Sequence, residues 1–173
     1  MKISNTAATI KPSPTRRLFN LAQSIPNVID LTLGDPDMPP ERAIKEAACE
    51  AITNGRTRYS ANAGLIELRQ QIARTVSEEY GVSVDPEAEV IVTVGAMEAL
   101  FLALACLLDA GDEVLIPAPY YVNYAQMVTM LGGVPIFVGA RNGNDFSICV
   151  EDLEQHCNDR TVAVILNSPC NPT

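Results

Sequence analysis

Hydrophobic and polar positions change their rhythm twice along this chain. Residues 1–28 are polar and carry Pro12, Pro14 and Pro26, which predicts an arm with one short helix around Arg16–Gln23. Val28–Leu33 is a short apolar run closed by Gly34-Asp35-Pro36-Asp37, the pattern of a strand ended by a turn. Pro39-Pro40-Glu41 then gives helix-start chemistry. Ala43, Ile44, Ala47, Ala48, Ala51 and Ile52 recur at three- and four-residue spacing on one helix face, and Asn54-Gly55 supplies the stop. A second helix fits Leu65–Tyr80, with Leu65, Leu68, Ile72 and Val76 on one side and Gly81 at its end.

From residue 89 strands and helices alternate. The pattern predicts strands at Val90–Val94, Glu113–Ile116, Val134–Val138 and Val162–Leu166. Helices fit Ala96–Leu108, Tyr121–Leu131 and Glu151–Cys157, with turns at Asp109–Asp112 and Gly132-Gly133. Apolar strands separated by helices imply an α/β fold with a mostly parallel sheet flanked by helices. Such sheets place ligands beyond the C-terminal ends of their strands, so site residues should follow Val94, Ile116 and Leu166.

Composition narrows the function. With 173 residues, 47% of them hydrophobic, there is chain enough for one domain with a sizeable core. Twelve Lys+Arg against 21 Asp+Glu leave a net charge of −9, which argues against nucleic acid as a partner. No apolar run reaches the ~20 residues of a membrane span, and the N-terminal residues lack the apolar stretch of a secretory signal. One His excludes a multi-histidine metal site, so no metal is expected. Cys49, Cys106, Cys149, Cys157 and Cys170 are odd in number and form no C-x-x-C pair. Cys49 and Cys106 fall in apolar helical patterns and are expected as buried free thiols. These features fit a soluble, cytoplasmic protein.

The segments after the strands carry candidate chemistry. Thr93-Val94-Gly95-Ala96-Met97-Glu98 runs from strand through glycine directly into helix. The Ala96 and Met97 amides suit an anion at the helix start; the other reading is a tight turn with Glu98 serving the dipole. Pro117-Ala118-Pro119-Tyr120-Tyr121 offers an aromatic to stack on a flat ligand, or two tyrosines that cap the core. Asn167-Ser168-Pro169-Cys170-Asn171-Pro172-Thr173 projects Asn amides at the sheet edge, or is an ordinary Asx/Pro turn. Arg56, Arg58 and Tyr59, upstream of Gly64, form a local basic cluster suited to a phosphate or to a solvated linker.

The order of these blocks resembles the class I/II aminotransferases, pyridoxal-phosphate (PLP) enzymes of fold type I, from about Ile10 to the last residue. The resemblance is carried by IKPSPTRRLFNLA, VIDLTLGDPDMPP, GRTRYSANAGLIELRQQIA, VIVTVGAMEAL, LLDAGDEVLIPAPYYVNYAQMV, LGGVPIFV and VILNSPCNPT, in family order. It implies an incomplete fold-type-I PLP-transferase. Residues 1–45 would be the N-terminal arm and part of the small domain, and residues 46–173 a partial large PLP-binding domain. Gly34 matches the glycine whose backbone meets the substrate carboxylate. Tyr59 matches the tyrosine that reaches the cofactor phosphate of the neighbouring subunit in a homodimer. Ala96 and Met97 match the amides that hold the phosphate, Tyr121 the aromatic on the pyridine ring, and Asn171 the Asn on its phenolic oxygen. The bonds matching Ala118–Pro119 and Asn171–Pro172 are often cis in this family.

The implied reaction moves an amino group between an amino acid and a 2-oxo acid. Met38-Pro39-Pro40 stands where a common subgroup has a Thr-Pro dipeptide, so the amino acid itself stays open. The family's Schiff-base lysine, the Asp on the pyridine nitrogen and the Arg on the substrate carboxylate have no match here. The only lysines, Lys2, Lys11 and Lys45, all precede the sheet. The expectation is therefore an N-terminal portion of such an enzyme with no catalytic residue of its own, inactive alone. The strand at Val90–Val94 would have open edges that favour self-association. The alternatives are a non-catalytic remnant that binds phosphate or dimerises, and a related PLP lyase such as an aminocyclopropanecarboxylate synthase.

Overall fold

Burial in the chain concentrates on one strand, β1 (Glu113–Ala118), the centre of a three-stranded sheet of order β2-β1-β3. The computed structural model describes residues 2–10, 13–32, 34, 36–139 and 146–173. Strand β2 is Val134–Gly139 and β3 is Thr161–Val164. Both run parallel to β1. The β1–β2 register runs from Glu113 opposite Val134 to Ala118 opposite Gly139. On the other side Glu113 faces Thr161 and Leu115 faces Val164, with an irregularity between Glu113 and Val114.

The chain divides into two compact units. The first comprises residues 1–33 and 100–173. Strand residues alternate between faces, so Val114 and Ile116 share one side of β1. They are fully buried there with Leu104, Tyr124, Met127 and Val128. Tyr124, Met127 and Val128 come from one helix, Asn123–Met130, which joins β1 to β2. Its exit is tight. Gly132 has φ +85°, and a Cβ on buried Gly133 would lie 3.0 Å from Val128 Cγ1 and 3.2 Å from Asp112 O. A second crossover helix, Val150–His156, precedes β3 and packs on β2. The arm holds two helices, Asn5–Thr9 and Pro14–Ala22, capped by the Ser4 and Ser13 hydroxyls. The first of them packs against the Asn123–Met130 helix and was not foreseen from the polar sequence.

The second unit is residues 34–99. It holds helices Arg42–Thr53 and Ile66–Tyr80 and the first residues of a third, Gly95–Leu107, which continues in the first unit. Numbered in chain order, the helices are α1 (Asn5–Thr9), α2 (Pro14–Ala22), α3 (Arg42–Thr53), α4 (Ile66–Tyr80), α5 (Gly95–Leu107), α6 (Asn123–Met130) and α7 (Val150–His156). Gly81 ends α4 at φ +68°, where a residue with a Cβ is disfavoured.

Three expectations are corrected. Residues 28–32 form no strand, and Leu33 lies outside the described residues. Val90–Val94 also pairs with no strand among the described residues; its Val90 carbonyl accepts from Arg69 and its Val92 N–H donates to Ala63. Cys49 and Cys106 are exposed, not buried. The reason is that α3 buries no residue and α5 buries only Leu104, so the apolar faces that carry these thiols have no cover among the described residues. The core is correspondingly smaller than the hydrophobic content suggests.

Candidate functional site

In the first unit, the loops leaving β1 and β3 border a cavity of about 460 Å³ at the C-terminal ends of these strands. Ala118, Pro119 and Tyr120 line it from one loop, and Asn167, Ser168 and Cys170 from the other. The Cys170 thiol donates to the Pro119 carbonyl at 3.5 Å and ties the two loops together. Ala118–Pro119, Ser168–Pro169 and Asn171–Pro172 are all cis. The first and last are the two bonds expected to be so.

The two adjacent tyrosines have separate tasks. Tyr120 stacks on Phe137 of β2, with centroids 5.0 Å apart and planes 7° apart. Tyr121 meets Tyr124 edge-on at 5.6 Å, and its hydroxyl accepts from Asn123 Nδ2 at 3.1 Å. Tyr121 is half-buried and Asn171 is exposed. Neither lines the cavity, whereas buried Tyr124 does. Burial, with smaller contributions from Cys170 and Tyr121, raises the Tyr124 phenol above its ordinary pKa, which keeps it neutral.

In the second unit, α5 begins at Gly95 with φ +79°, and no atom lies within 4 Å of where a Cβ would stand. The Gly95 N–H bonds Thr93 O at 2.9 Å, and the Thr93 hydroxyl returns to Gly95 O at 3.0 Å. The Glu98 carboxylate turns back to accept from the Val94 N–H. The turn reading is thus realised in part, since Glu98 does cap the entry. It leaves the exposed Ala96 and Met97 amides without an acceptor among the described residues. Gly34 is exposed with open space around it, and Tyr59, with Arg56 and Arg58, is fully exposed. No group of three potential metal ligands occurs among the described residues. Among these residues, no helix is long and apolar enough to cross a membrane.

The family model for aminotransferase class I and II matches residues 26–173. The chain belongs to this aminotransferase family. It is 39% identical over 173 residues to aromatic-amino-acid aminotransferase 2 of Thermococcus litoralis, covering 100% of the chain and 44% of that protein. It is 40% identical to the aspartate aminotransferase of Pyrococcus abyssi, again covering 44% of its length. Among solved structures, the aspartate aminotransferase of Thermus thermophilus with maleate superimposes with a TM-score of 0.94 at 38% identity, over 100% of this chain and 46% of that one. The chain therefore spans less than half the length of the relatives it matches.

Among the described residues, α5 opens on Gly95 with the Ala96 and Met97 amides lacking acceptors, Tyr121 follows β1, and Asn171 lies beyond β3. Gly34, Tyr59, Ala96 and Met97 lie in one unit, and Tyr121 and Asn171 in the other. Sequence reasoning missed Arg69, a buried cation on α4, and the thiol link between the post-strand loops. Neither had a local signal, because the partners of both are backbone carbonyls distant in sequence.

Proposed function

We propose that this chain is the front portion of a PLP-dependent aminotransferase that moves amino groups between an amino acid and a 2-oxo acid. The observation that supports it best is the start of α5. There a family block, an open glycine and two amides without acceptors among the described residues coincide. These features suit the phosphate end of PLP: the amides are neutral donors, and a Cβ is absent where the anion would approach. The helix dipole would add about 0.3–1 kcal/mol for a negative charge there.

When bound, the cofactor supplies an electron sink for chemistry at the amino-acid Cα. The chain's own residues bind and orient. Ala96 and Met97 donate to the phosphate. Tyr121 offers its ring face, while its hydroxyl is held by Asn123. Asn171 donates an uncharged amide hydrogen bond to the phenolic oxygen. Gly34 meets the substrate carboxylate through its backbone, and Tyr59 serves the phosphate site of a second copy in a homodimer. Residues 1–45 act as the arm and part of the small domain, and residues 46–173 as part of the PLP-binding domain. The setting is the cytoplasm, in amino-acid biosynthesis.

The proton transfer of transamination needs a lysine beside the cofactor. Lys2 and Lys45 are exposed on or before α3, and Lys11 lies outside the described residues. These 173 residues alone are therefore binders and not catalysts. Titration with PLP, followed at the Ala96 and Met97 amide resonances, tests the reading. Saturable shifts at both, reversed by inorganic phosphate, are expected. A titration that leaves both amides unmoved contradicts it.

A further inference from the structure

Within residues 34–99, the stretch that delivers Gly95 to the head of α5 is held by contacts from α4 and from the Ala61–Gly64 turn. On one side stands Arg69 of α4, only 8% exposed. Its Nε donates to the Val90 carbonyl at 3.0 Å and its Nη2 to the Glu87 carbonyl at 2.6 Å. No carboxylate among the described residues pairs with it, so the buried cation spends its hydrogen bonds on backbone. On the other side is the Ala61–Gly64 turn. The Val92 N–H donates to Ala63 O at 3.0 Å. Gly64, at φ +96°, lies so close that a Cβ there would be 2.8 Å from Val92 Cβ and Cγ2. Two residues further, Val94 is held by Glu98, and the α5 amides begin.

We propose that Arg69 and Gly64 are positioning residues for the anion-binding amides of Ala96 and Met97. Arg69 grips two carbonyls of this segment, and a planar guanidinium can do this where an ammonium reaches fewer acceptors. Gly64 admits Val92 to the loop that also carries Tyr59, so both phosphate-directed segments of this unit share one support. The inference rests on the phosphate role assigned above to Ala96 and Met97.

The test uses the chain with Arg69→Met, Arg69→Lys and Gly64→Ala. Inorganic phosphate affinity is read from the Ala96 and Met97 resonances, and hydrogen exchange from residues 90–97. Arg69→Met should weaken phosphate about tenfold, the scale of one charged hydrogen bond. It should also speed exchange in 90–97 while helical circular dichroism is retained. Arg69→Lys should fall between, and Gly64→Ala should reproduce the loss from the opposite side. If Arg69→Met does not fold, the other two variants decide. Unchanged exchange in the folded variants, or faster exchange with phosphate affinity held within twofold, overturns the proposal. If phosphate leaves the unmodified chain's amides unmoved, the phosphate role itself fails, and the exchange data alone judge the clamp.

Discussion

Glu113 and Arg160 lock the N-terminal ends of β1 and β3 together. The Glu113 side chain is 6% exposed, and its Oε1 accepts from both Nε and Nη2 of Arg160. Its other oxygen accepts from Asn158 Nδ2 at 2.7 Å, and the Glu113 N–H bonds Arg160 O at 2.7 Å. The carboxylate therefore meets its partners through both oxygens, which is the condition for keeping a charge in so buried a place.

This pair predicts an acid-dependent loss of stability. The Asn158 and Arg160 hydrogen bonds hold the Glu113 carboxyl below its ordinary value of 4.5. A depressed folded-state pKa contributes stability that is present above the unfolded value and is lost as pH falls through the folded one. Urea midpoints of the native chain should drop as pH is lowered below 4.5. Glu113→Gln should lower the midpoint at neutral pH and flatten that acid dependence. An equally steep acid drop in the variant would assign the effect to other groups.

The small core makes each of its members costly. Ile116 is fully buried among Leu104, Tyr124, Met127 and Val128. Ile116→Ala should cost about 2–5 kcal/mol by chemical denaturation, through lost burial and the cavity left behind. A cost under about 1 kcal/mol would mean that the site collapses around the smaller side chain.

Much of this arrangement was legible in the sequence. Gly81 at the end of α4, Gly132-Gly133 before β2 and the Asp109–Asp112 turn each name their own geometry, because only certain residues adopt it at low cost. The apolar run Glu113–Ile116 marked a strand, and the structure makes it the centre of the sheet. Val90–Val94 misled, since β-branched residues favour extended backbone but cannot supply a neighbour to pair with. Whether such a run becomes a strand depends on partners far along the chain, and among the described residues its Val90 carbonyl and Val92 N–H meet Arg69 and Ala63 instead. The exposed thiols of Cys49 and Cys106 teach a similar lesson: periodicity marks an apolar face but does not say what covers it.

Gly95 should be intolerant of a side chain for conformational reasons alone. Its φ of +79° costs a residue with a Cβ roughly 1–2 kcal/mol, although the space beside it is open. Gly95→Ala should therefore fray the start of α5 and weaken phosphate binding at Ala96 and Met97. Heteronuclear titration would show this as smaller phosphate-induced shifts at both amides. Undiminished shifts would mean that the helix head keeps its form without the glycine.

On the proposed function, these residues hold the phosphate end of PLP but supply no lysine that binds it covalently. Borohydride reduction after PLP loading, followed by peptide mass mapping, tests it most directly. Absorbance changes that inorganic phosphate competes away and dialysis removes are expected, with no stoichiometric label at Lys2, Lys11 or Lys45. A single lysine labelled in proportion to protein, and retained through dialysis, would contradict it.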